Sequence, residues 1–122
     1  MTLTAPIPIL RIFSEAKARE FYVDFLGFQV DWEHRFEDGL PLYAQISRDG
    51  CVIHLSEHHG DCSPGSALRI HTTALEDLQR ELLAKGYKYA RPGIQEQPWG
   101  KDMSISDPFG NRLIFTTSGA SN

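Results

Sequence analysis

Cysteine, long apolar runs and clustered positive charge are all scarce in this chain of 122 residues. Its two cysteines, Cys51 and Cys62, are too few for a disulfide scaffold and cannot form a zinc motif by themselves. Reduced thiols are therefore expected. No apolar run approaches the ~20 residues that cross a bilayer, so no membrane partner is expected. Met1-Thr2-Leu3-Thr4-Ala5-Pro6 has no basic segment followed by an apolar one, and without that secretory pattern the expected location is cytoplasmic. A net charge of −4 with no basic stripe argues against nucleic acid. No nucleophile sits beside a sequence-local base: Ser47, Ser56 and Cys51 fall on strands or turns without one. What remains is the composition of an ordinary soluble domain, 41% hydrophobic and 23% charged, of a length that suits one two-layer domain.

Against that background, the most informative stretch is Gln97-Pro98-Trp99-Gly100, followed by Asp107-Pro108-Phe109-Gly110-Asn111. Pro98 fixes its own φ and pushes Gln97 toward an extended conformation, Gly100 accepts positive φ, and Trp99 between them is poorly placed for a core role. It either stacks at the mouth of a pocket or plugs the end of a sheet.

An internal repeat organises the rest. Gly27 and Gly86 each end an amphipathic segment, Gly50 and Gly110 each precede an apolar strand, and both pairs lie about sixty residues apart. In the first copy, Ile7 to Phe13 is predicted as a strand and Ser14 as an N-cap. Ala18, Phe21, Tyr22, Phe25 and Leu26 mark one face of a helix stopped by Gly27. Phe28 to Phe36 is extended, Leu42, Ala44 and Ile46 alternate with polar neighbours, and Asp49-Gly50 turns the chain into Cys51 to Leu55. The loop Ser56 to Ser66, rich in Gly, Pro, His and Asp, separates the copies. The second copy has a strand over Ala67 to Thr72, then a capping box of Thr73 and Glu76. Its helix carries Leu75, Leu78, Leu82 and Leu83, followed by strands at Tyr87 to Ala90, Asp102 to Ser106 and Asn111 to Thr117. The chain is thus α+β, a single domain of two βαβββ modules, about 5–57 and about 66–118. Each helix covers one sheet face, leaving the other for a partner subunit or a ligand.

Phe21-Tyr22, Leu26-Gly27-Phe28, Gln97-Pro98-Trp99-Gly100 and Asp107-Pro108-Phe109-Gly110-Asn111 together resemble the vicinal-oxygen-chelate superfamily, that of the glyoxalases and bleomycin resistance proteins. The Gln-Pro-Trp-Gly turn is similar to the bleomycin-resistance branch. The resemblance implies half-barrel sheets, a homodimer and a pocket on the concave faces. It also implies four metal-ligand positions, which fall at Ile7, His54, about Ala67 and Ile114; three of these cannot ligate, so no metal and no cofactor is expected. The remaining metal-type residues, His54, Glu57, His58, His59 and Asp61, have the right donor types for a metal but match no defined spacing, so they read as a solvated, titrating loop.

Strand parity then assigns the lining. Ile9, Arg11, Val52, His54, Arg69 and His71 join the cavity face; Leu10, Ile12, Ile53, Leu55, Leu113 and Phe115 face the helices. Trp32, Glu33, Phe36 and Trp99 correspond to the aromatic and acidic groove that the resemblance implies, suited to a bleomycin-type ligand with its planar bithiazole and cationic tail. Glu33, Glu37 and Asp38 also fit a solvated hairpin tip. Arg11 and Arg69 either meet a ligand or pair with acids across a dimer. The expected function is antibiotic sequestration without chemistry. The alternative is a superfamily enzyme acting on a small carboxylate or phosphonate, with the two arginines as anion clamps and His54 or His71 as base; a dimer that has lost its ligand is a third possibility.

Overall fold

A computed structural model describes residues 2–118, and the chain divides into two compact units between Pro64 and Gly65. The first runs β1 (Ile9–Arg11), α1 (Glu15–Ala18), a π-wound continuation of that helix (Arg19–Phe25), β2 (Gln29–His34), β3 (Tyr43–Arg48) and β4 (Cys51–Ser56). The second runs β5 (Ala67–His71), α2 (Leu75–Ala84), β6 (Ile94–Gln97), β7 (Gly100–Ser106) and β8 (Arg112–Ser118). Their sheets have matching orders, β1-β4-β3-β2 and β5-β8-β7-β6. In each, the first strand pairs in parallel with the last and the others pair antiparallel.

Local chemistry explains most boundaries. Ser14 caps α1, its Oγ accepting from the Lys17 amide at 3.2 Å. The predicted inward face, Ala18, Phe21, Tyr22, Phe25 and Leu26, is buried throughout. A regular α-helix is the expectation there, but beyond Ala18 the winding widens, with the Leu26 amide reaching back five residues to the Phe21 carbonyl at 2.9 Å. Phe21 and Tyr22, adjacent in sequence, then pack edge to face with ring centres 4.8 Å apart. Gly27 (φ 77°) ends the helix, and Arg48 donates to the Leu26 carbonyl at 2.7 Å. Asp49 and Gly50, both at positive φ, make the tight β3–β4 hairpin. Leu10, Ile12, Ile53, Leu55, Leu113 and Phe115 are all buried, as the helix-facing parity requires. Among the described residues, no helix is long and apolar enough to cross a membrane.

Four local expectations are corrected. The first strand covers only Ile9–Arg11, because β4 offers partners only from His54 to Ser56 and Pro6 and Pro8 have no amide to donate. The second strand, expected over Phe28 to Phe36, spans Gln29–His34. The Thr73/Glu76 capping box does not form: Ala74 occupies the N-cap, the Thr72 hydroxyl accepts from the Ala74 amide at 3.1 Å, and Glu76 instead binds Lys101 at 2.9 Å. Tyr87 to Ala90 is a turn rather than a strand, and the edge strand is Ile94–Gln97, paired with β7. Tyr87 and Tyr89 suggest a strand by β propensity, but there the pairing partner decides.

Candidate functional site

On the first unit's helix-free face, the aromatic centre is Trp32, Tyr43 and His54, from three adjacent strands. Trp32 stacks on Tyr43 (6.0 Å between centres, 12° between planes), and both meet His54 edge to face. A hydrogen-bonded chain runs through them. Gln45 donates through Nε2 to Asp31 at 3.1 Å, which turns its carbonyl oxygen toward His54 Nε2 at 2.9 Å. The His54 proton therefore sits on Nε2, leaving Nδ1 to accept from the Tyr43 hydroxyl at 2.6 Å. Asp31 also accepts from Ser47 at 3.0 Å and Gln29 at 3.1 Å. The hydrogen bonds from Gln45 and then Ser47 hold its carboxyl below the ordinary 3.8, against the opposing effect of burial. A bulge between Val30 and Trp32 puts Asp31 within reach of this network. Burial, then the charge of Asp61, pushes the Tyr43 hydroxyl up, so the phenol stays protonated.

The other predicted residues of this unit are dispersed. Glu33 lies opposite the buried Ala44 and accepts from Arg19, which places it on the helix side, away from Trp32. Strand alternation requires this, so its expected place in the aromatic groove is corrected. Phe36 lies beyond β2, 82% exposed, against the His34 ring at 5.7 Å. Arg11 is half-buried with its guanidinium 4.5 Å from the Phe13 ring centre. Both thiols are raised, Cys51 by burial and Cys62 by burial and then Asp61. Neither is an activated thiolate.

In the second unit, Pro98 and Trp99 form the two-residue turn between paired Gln97 and Gly100, leaving the Trp99 indole 52% exposed. Trp99 Nε1 donates to Asp102 at 3.1 Å, and Arg69 lies over the indole 5.4 Å from its centre. Arg69 also binds both Asp102 oxygens, at 3.0 and 3.1 Å. Its charge is met within the sheet. These three side chains edge an open pocket of about 570 Å³, within the usual range for small-molecule sites. His71 lines a neighbouring concavity with Arg69 and Trp99.

Burial opposes ionisation of Asp102, but hydrogen bonds from Thr116, Trp99 and Arg69 outweigh it and leave its pKa below 3.8. A lowered folded-state pKa stabilises the fold fully above the ordinary value and loses that effect as pH falls through the lowered one. Thermal melts should therefore separate wild type from Asp102→Asn by a constant offset from pH 7 to about pH 4, closing at lower pH. An offset unchanged at pH 2 would show that Asp102 does not act through its charge.

The donor set does not suit a resident metal. Both His54 nitrogens are engaged by Tyr43 and Gln45, and Ile114 and Ala67 have no ligating atoms. Among the described residues no three His, Cys, Asp or Glu side chains are grouped to hold an ion. Glu57, His58 and Asp61 serve the loop instead: Glu57 accepts from the Leu42 amide, while Ser56 bonds both Asp61 and the His58 amide.

Two βαβββ units, each with one sheet face covered by its helix and the other carrying aromatic and polar side chains, define a small α+β fold of repeated modules. Residues 1–121 match the family described as glyoxalase superfamily protein, and the chain belongs to that superfamily. No curated protein matches it. Among solved structures it is similar to the bleomycin-binding protein of bleomycin-producing Streptomyces verticillus, complexed with copper(II)-bleomycin. Identity is 25%, covering 98% of this chain and 99% of that one, with a TM-score of 0.72. It is also similar in fold to the bleomycin resistance determinant encoded on transposon Tn5 (19% identity, 97% and 100% covered, TM-score 0.74). A third similar structure is TnmS3, an antibiotic binding protein from Streptomyces sp. CB03234 (19%, 98% and 100%, 0.68).

Proposed function

We propose that this protein is a homodimer that binds a bleomycin-type antibiotic and sequesters it without chemistry and without a metal of its own. The observation that carries this reading is the presentation of Trp99: a half-exposed indole on a rigid two-residue turn, oriented by Asp102 beside a pocket of drug size. Such an indole supplies stacking area to a planar heterocycle at little conformational cost. The 25% identity to a bleomycin-binding protein over nearly both chains supports the same reading. Exposed Ile9 and Trp32 support the dimer, since a symmetric partner removes such apolar surface from water. In a cell the consequence is antibiotic resistance. The enzyme alternative is less well supported: Arg69, one of its two anion clamps, is already paired with Asp102, and no thiol is activated.

Calorimetry tests the proposal directly. After dialysis against a chelator, the protein should bind both metal-free and copper-loaded bleomycin, return the drug chemically unchanged, and sediment at twice its 13.8 kDa chain mass. Absence of heat with both forms, or turnover of the drug, would sink it.

A further inference from the structure

The pocket of the second unit has two chemically different ends. At one, Trp99, Asp102 and Arg69 form a closed set: the carboxylate is held by the indole N–H and the guanidinium, and the two charges cancel. At the other stands Arg112, on the same pocket wall, with Ser104 on the neighbouring strand nearest to it. Among the described residues Arg112 forms no ion pair.

The acids of this sheet do not neutralise it. Asp102 lies opposite Thr116, four positions along β8 from Arg112. At ~3.4 Å per residue that is about 14 Å between backbones, and the Asp102 carboxylate is bound by Arg69 instead. Asp107 is buried, with its oxygens taken by the Phe109 and Asn111 amides and the Asn111 side chain. Glu96 pairs in register with Lys101. The pocket therefore carries one uncompensated positive charge, at a fixed distance from an aromatic face.

We propose that this pocket recognises an anionic group on an aromatic ligand, the ring lying on Trp99 and the anion meeting Arg112. A planar guanidinium matches a carboxylate or sulfonate with two parallel hydrogen bonds, and Ser104 supplies a neutral donor on the adjacent strand. Arg112 thus takes the anion-binding role that the sequence suggested for Arg69, whose charge is already met. The inference rests on this pocket being a ligand site but not on the ligand being bleomycin.

The test uses two naphthalenes of equal ring size, 2-naphthoate and uncharged 2-naphthylmethanol, titrated calorimetrically into the full chain. A hydrogen-bonded charge on the ligand should make 2-naphthoate bind at least about tenfold more tightly. Arg112→Gln should abolish that preference while binding the alcohol as wild type does, and Arg112→Lys should restore part of it. Arg112 is exposed, so these variants are expected to fold. Equal affinity for the two naphthalenes in wild type, no binding of either, or an undiminished preference in Arg112→Gln would overturn the inference. Bleomycin titrated in parallel separates the two proposals. Bleomycin binding without a naphthoate preference removes only the anion site, and the reverse result removes only the antibiotic.

Discussion

Replacing Trp99 by alanine is expected to weaken bleomycin binding about thirtyfold or more while leaving the fold nearly as stable. Truncation of a central interface Trp commonly costs ~2 kcal/mol or more in binding, and each 1.4 kcal/mol is tenfold in affinity. A buried core Trp would instead cost ~3–5 kcal/mol of folding stability. Because the indole is 52% exposed and its polar contact is to Asp102, the folding loss should be well under half of that. Trp99→Phe separates stacking from orientation: it keeps a ring but loses the hydrogen bond to Asp102, and it should retain most of the affinity. Tryptophan emission should also change on titration and lose most of that change in Trp99→Phe. If Trp99→Ala unfolds the protein, the indole is a core residue and the binding proposal loses its principal support.

The largest stability effect away from the helix-facing core is expected at Asp107. Its carboxylate organises the turn into β8, accepting from the Phe109 and Asn111 amides at 2.8 Å and from Asn111 Nδ2 at 2.9 Å. Asn111, fully buried, passes the constraint on by accepting from the Ser66 amide at 3.1 Å. Asp107→Ala removes the acceptor of three donors, two of them in buried hydrogen bonds, at ~1–3 kcal/mol each, so a total loss of about 3–5 kcal/mol is expected. Asp107→Asn keeps one carbonyl oxygen and should lose less than half as much. Urea unfolding of both variants checks this; an alanine variant within about 1 kcal/mol of wild type would show that water replaces the carboxylate freely.

Several features of the site were legible in the sequence because they depend on neighbours within a few residues. The Gln97-Pro98-Trp99-Gly100 turn follows from the φ preferences of Pro and Gly, and it exposes Trp99 whatever packs nearby. Alternation was enough to place His54 and Arg69 away from the helices. The same rule, followed further, would have found Tyr43, Gln45 and Ser47 between Leu42, Ala44 and Ile46, and Asp102 and Ser104 around Met103 and Ile105. It would also have removed Glu33 from the side of Trp32. Asp31 carried no such signal, because its place depends on a bulge that only strand pairing reveals.

The sequence by itself therefore determined the α+β repeat, the helix-facing core and the exposed aromatic turn, since period, caps and turn residues act over short distances. Tertiary structure alone decided the charge state of the site. Arg69 meets an acid 33 residues away on a strand that is not its neighbour, and among the described residues Arg112 is left without one. Tertiary structure also decided the winding of the first helix and the position of the edge strand β6. Propensity supports competing local conformations at both places, and packing or a partner strand selects between them.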